Sequence, residues 1–137
     1  MMPAPFGVPF YSWPAPGTVV SIPIFLVYRH KGIVSDRWYN GKPMVISNSG
    51  RFGGVAEEPW DVFAQGRSVT AERLSGTMPL HEVVSRAQSL VGTKYDLYDW
   101  NCEHLVTYAY GLIPHSSQVV TTLAITAICG ALAAVGR

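Results

Sequence analysis

The residues best suited to chemistry gather in one short stretch, Asp99–Tyr108, which reads DWNCEHLVTY. Asn101 is a good N-cap, because its side-chain oxygen can accept from an otherwise unpaired helix amide. The spacing therefore predicts a helix over Cys102–Tyr110, closed by Gly111 and Pro114. Cys102 would begin that helix, where the first amides and the helix dipole both favour a thiolate. Its own backbone N–H would point at an oxyanion forming on an attacked carbonyl. A nucleophilic thiol also needs a base. His104 lies two residues on, a spacing that faces another side of the helix, so it is assigned to orienting the loop or to a core hydrogen bond. Glu103 would oppose thiol ionisation from within, so it is placed outward. His30, within an apolar strand pattern, is the better base. Plainer readings stand beside these: a free cysteine packs as a small hydrophobe, and a neutral imidazole is satisfied by a single partner.

The chain has 137 residues, enough for one domain with a real core. Apolar residues make up 48% and charged residues only 14%, with a net charge of +1. That balance, with no basic run and no nucleic-acid-reading motif, gives no electrostatic case for nucleic acid. The two cysteines, Cys102 and Cys129, lie in unlike settings and form no disulfide framework. Cys102 with His104 falls short of the roughly four ligands of a structural zinc site. No metal and no cofactor is expected.

Three regions follow from composition. Residues 1–16 form an arm with five prolines and no basic n-region, unlike a signal peptide. Its Phe6, Phe10 and Tyr11, with the adjoining Trp13, suit packing on the domain or gripping a partner. Residues 17–115 carry the domain. Residues 116–137 include Val119–Gly136, 18 residues without a charge. As a helix this segment would span about 27 Å, close to a bilayer core. A transmembrane anchor, a buried helix and an interface helix all suit it, and membrane association through 119–136 is the expectation, with a membrane-associated or cytoplasmic location.

Within the domain, strands are predicted at Thr18–Ile22, ended by Pro23, and at Phe25–Ser35. Asn40-Gly41 signals a tight hairpin, with Met44–Ser49 as the returning strand. The hairpin makes His30 and the Ser47–Asn48 region neighbours. The glycine-bearing stretch Gly50–Gly66 reads as an irregular, mobile flap. Ser68–Leu74 alternates as a strand. Leu80, Val83, Val84, Ala87 and Val91 repeat at helical spacing, after Pro79 and before Gly92. The class is α+β, a small antiparallel sheet packed with helices.

The motif NCEHLVTYAYG resembles the cysteine motif of the lecithin:retinol acyltransferase-like family, and YRHKGIVSD resembles its histidine box. The order and spacing of the two, with a helix, a glycine and a tyrosine between, extend the resemblance over about Gly17–Gly111. The resemblance implies a circularly permuted NlpC-type, papain-like fold, with the histidine strand ahead of the cysteine helix. It implies thiol hydrolases and acyltransferases that hold the acyl group as a thioester. Carried over by position, Cys102 matches the nucleophile and His30 the base. Tyr28 matches a residue that helps polarise the oxyanion, and Asn101 lies with the Cys102 amide at the mouth.

Three positions depart from the family pattern. Ser47 stands where a third group, usually histidine, is expected, so Ser47 or Asn48 is left to accept from the His30 ring. Lys31 replaces a bulky residue, on the opposite strand face from His30. Leu105 replaces phenylalanine. The leading expectation is a Cys–His acyl hydrolase or acyltransferase acting on an acyl lipid. A peptide amidase and an inactive partner-binding scaffold are the alternatives.

Overall fold

The computed structural model describes residues 13–25, 28–72, 76–96 and 101–112. A five-stranded antiparallel sheet has the order β4-β3-β2-β1-β5. Its strands are β1 (Val19–Phe25), β2 (Tyr28–Tyr39), β3 (Lys42–Ser49), β4 (Gly54–Pro59) and β5 (Thr70–Glu72). Helix α1 (Trp60–Ala64) follows β4, while α2 (Leu80–Ser89) and α3 (Cys102–Ala109) follow β5. The arrangement is the expected α+β class.

The β2–β3 hairpin turns on Asn40 and Gly41, both at positive φ, with Tyr39 paired to Lys42. Such a two-residue turn matches the right-handed twist of the strands. Pro23 does not end β1; it pairs with Arg29, and the register shifts between Pro23 and Phe25. Proline is tolerated there because β5 pairs only with Val19–Ser21, which leaves the far end of β1 an edge. The stretch expected to be a mobile flap is instead ordered into β4 and α1. Gly54–Pro59 pairs with β3 throughout, so Gly54 begins the strand and the other glycines lie outside it. The strand expected over Ser68–Leu74 is reduced to β5, with residues 73–75 outside the described part.

Strand alternation divides the core into two layers. Val19, Ile33, Ile46 and Val55 join Val83 and Ala87 of α2 and Leu105, Val106 and Ala109 of α3 on one face. Val20, Ile22, Val34 and Val45 join Phe63 of α1 on the other. The two longer helices are tied by Arg86, whose Nε and Nη2 donate to the Tyr108 carbonyl at 3.2 and 2.9 Å. The Tyr110 hydroxyl donates to the Gly17 carbonyl at 2.6 Å, fastening the end of α3 to the start of the domain. Of the N-terminal aromatics, Trp13 packs edge-on against Trp60 of α1, with centroids 5.0 Å apart. Phe6, Phe10 and Tyr11 lie outside the described residues.

The expected transmembrane helix is corrected. Among the described residues no helix is long and apolar enough to cross a membrane. The longest, α2, has 10 residues, about half the length a bilayer core requires. Val119–Gly136, on which that expectation was placed, lies outside the described residues.

Gly32 is where the α1 layer is tightest: a Cβ there would come within 2.6 Å of Val45 Cγ1 and 3.1 Å of the Phe63 ring. Gly32→Ala is therefore expected to lower stability by about 1–3 kcal/mol, read as a shift in the urea midpoint at unchanged slope.

Candidate active site

Helix α3 begins as the sequence suggests. Asn101 Oδ1 accepts from the Glu103 amide at 2.9 Å and the His104 amide at 3.3 Å. In return, the Asn101 amide donates to His104 Nδ1 at 3.1 Å, completing a capping box. His104 is thus a positioning group in the cap, as its spacing from Cys102 suggested. Asn101 is buried and its oxygen is committed to the helix start; the Cys102 amide lies outside the pair it caps. Thr107, one turn on, donates to the Glu103 carbonyl at 3.0 Å.

Cys102 is buried, with its sulfur 4.0 Å from the Arg29 carbonyl of β2, which can accept from the thiol. The helix start does not bring its pKa below the ordinary thiol value. Burial pushes the thiol up to about 11; the amides of Lys31 and Glu103 and the Lys31 ammonium pull it down, and the Glu103 carboxylate pushes it up. Loss of solvent outweighs the favourable amides, so at neutral pH Cys102 is a thiol. This corrects the expectation of an anionic sulfur.

The strand beside Cys102 alternates. Arg29, Lys31 and Ile33 face α3, while His30, Gly32 and Val34 face α1. Side-chain contacts agree. Lys31 Nζ lies 3.6 Å from Glu103 of α3, and the His30 ring lies tilted on the Phe63 ring with centroids 5.3 Å apart. The His30 ring thus points to the α1 layer, while the Cys102 sulfur lies beside the backbone of β2 at the Arg29 carbonyl. Glu103, expected outward, is buried against Lys31.

His30 belongs to a different polar group. Its Nε2 is buried with no hydrogen-bond partner. Burial, then the nearby Arg51 charge, lowers its pKa from 6.5 to about 4, so the ring is neutral. Ser47 pairs with Gly32 and so lies on the His30 side, where its hydroxyl donates to Glu58 Oε1 at 3.1 Å. Burial raises the Glu58 carboxyl, against the Ser47 hydrogen bond and Arg51. Asn48, one residue on, is fully buried on the α3 side. The two candidates for the third group are thus split between faces. Tyr28 is half-buried at the start of β2.

Sequence reasoning missed Glu58, Arg51 and the inward Glu103. The signal for Glu58 was the paired acids of AEEP, one of which must turn inward once that segment is a strand. Among the described residues no group of three or more His, Cys, Asp or Glu side chains could hold a metal ion.

A family model described as Lecithin retinol acyltransferase matches residues 29–112, more than half of the 137-residue chain. The chain belongs to this family. The match takes in both His30 and Cys102 and ends at the close of α3. A search of curated proteins finds no match. Membership is consistent with an acyltransferase or hydrolase that acts on lipid.

Two measurements check the electrostatics. Labelling of Cys102 by iodoacetamide is expected to rise about tenfold per pH unit from roughly pH 7 to pH 10, as a thiol with a pKa of about 11 requires; a plateau at neutral pH contradicts it. For His30, the unfolded ring binds a proton near pH 6.5 and the folded ring only near pH 4. Stability from the neutral ring is full above 6.5 and lost as pH falls toward 4, by roughly 3 kcal/mol at about 1.4 kcal/mol per pH unit. The raised Glu58 carboxyl works in the opposite sense. The measurement is therefore the difference between wild type and His30→Gln in urea unfolding across that range.

Proposed function

We propose that the protein is a cysteine-dependent acyl hydrolase or acyltransferase acting on lipid esters, with Cys102 as the nucleophile. The observation that carries this reading is the seating of Cys102 in the first turn of a capped helix within the matched family region. In the reaction the thiol loses its proton and the sulfur attacks the ester carbonyl. The carbon–sulfur bond forms as the carbon–oxygen bond breaks, and the alcohol leaves with a proton. Water or an acceptor alcohol then releases the acyl group from the thioester. The Cys102 amide and the Tyr28 hydroxyl are assigned to the oxyanion.

His30 is assigned as the proton acceptor, supported by its neutral state at working pH and its unpartnered Nε2. Ser47 is assigned to orient it, as the candidate on the same side, with Glu58 behind. We assign the same chain a permuted papain-like ancestry, since the histidine strand precedes the cysteine helix.

A second reading, a partner-binding scaffold without turnover, is favoured by the burial of both groups, which holds the thiol protonated and the imidazole neutral. Intact mass after incubation with a short-chain phospholipid in vesicles decides between them. An acyl adduct on Cys102, absent in Cys102→Ala, supports the enzyme. Its absence from folded wild type supports the scaffold. A peptide amide substrate cleaved equally well with and without vesicles would move the substrate class to amides. His30→Gln is expected to cut kcat by about a hundredfold or more, and full activity in that variant removes His30 from the mechanism while leaving Cys102 in place.

A further inference from the structure

We propose that Lys31 is an electrostatic positioning residue for Cys102, its ammonium shared among Glu103, Glu72 and the sulfur. The proposal rests on Cys102 being the nucleophile.

Lys31 stands on the face of β2 that His30 does not use, and α3 packs on that face. Its Nζ lies 3.6 Å from Glu103 and 3.9 Å from Glu72 of β5. Glu103 is the residue after Cys102 and is buried, so the carboxylate that holds the ammonium is anchored beside the thiol. The backbone amide of Lys31 also pulls the Cys102 pKa down. One residue thus acts on the sulfur twice, through its amide and through its charge.

Among the described residues, the charged and titratable groups around the thiol are few. Arg29 shares the face, but its Nε donates to Ser21 Oγ at 2.8 Å and its Nη2 to the Ser21 carbonyl at 3.3 Å. Tyr95, on the segment after α2, interacts with Cys102, and its phenol is raised by burial, then by Cys102 and Asp96. Glu103 comes from α3, and Glu72 reaches the group through Lys31. His30 and Arg51 belong to the other face. Lys31 is therefore the cation best placed to answer a charge developing on sulfur. A lysine suits this, because a compact charge on a flexible stem moves between anionic partners more readily than a guanidinium fork. With sulfur neutral, the ammonium is held by two carboxylates. As sulfur becomes anionic it gains a third partner, in a buried setting where charges are weakly screened.

The arrangement makes opposed predictions for two neighbouring variants. Iodoacetamide labelling of Cys102 in the full chain, followed by peptide mass spectrometry, reads thiol ionisation independently of turnover. At about pH 8, Lys31→Met is expected to slow labelling roughly three- to tenfold, and Glu103→Gln to speed it by a similar factor, each tenfold being one pKa unit. Lys31→Arg, which keeps the charge, is expected to stay within about threefold of wild type, and the double variant to return toward wild type. Equal rates in all variants, or shifts of Lys31→Met and Glu103→Gln in the same direction, overturn the proposal. Should Lys31→Met fail to fold, Glu103→Gln decides alone: faster labelling supports the proposal, and unchanged or slower labelling overturns it. Opposed shifts together with undiminished ester turnover in Cys102→Ala would leave Lys31's role standing and remove the proposed function. Unmoved labelling together with dead Cys102→Ala would do the reverse.

Discussion

A strand gives each residue one side of the sheet, and β2 gives His30 and Lys31 opposite ones. That constraint organises the whole site. Because Ile33 must reach Leu105 and Val106, every second residue of β2 faces α3, and Lys31 rather than His30 meets the helix that carries Cys102. Because Val34 must reach Phe63, His30 lies with the α1 layer and takes Ser47, Glu58 and Arg51 as its surroundings. A slip of one residue would exchange both sets at once and bury charge in each apolar layer.

Burial is the second organising force, and it opposes reactivity at both groups. The first turn of α3 supplies what a thiolate would want, yet the sulfur is held as a thiol because water has been removed from around it. The same loss of water holds His30 neutral. Held neutral, neither the thiol nor the imidazole bears an unpaired buried charge. The ionised groups on the thiol side, Lys31, Glu103 and Glu72, are mutually compensated for the same reason. The charges that remain inside this fold are those that found partners.

The capped helix start lies within the stretch that the family model matches. The capping box joins Asn101 to His104 through backbone and side chain in both directions, which fixes the direction in which α3 leaves the preceding loop. Arg86 on the Tyr108 carbonyl and Tyr110 on Gly17 then fix its far end. The helix is held at both ends, so the position of Cys102 against β2 follows from the packing of the whole α3 layer.

Local patterns in the sequence determined the elements whose causes are local. Asn40-Gly41 specified a turn because few other pairs accept two positive φ values, and Asn101 specified the start of α3 because its side chain reaches amides two and three residues on. The spacing of Val83, Val84 and Ala87 specified the buried stripe of α2, and the cysteine motif specified the family. Gly50–Gly66 misled because its glycines and its proline are local signals, whereas the pairing of β4 with β3 that orders it joins segments that no local signal connects. Which way β2 faces was likewise beyond local reading: period-two alternation states that His30 and Lys31 part, but only the docking of α3 and α1 states which of them meets α3. The same holds for the ionisation of Cys102. The sequence supplied the helix start that lowers a thiol's pKa, and only tertiary burial supplied the desolvation that outweighs it.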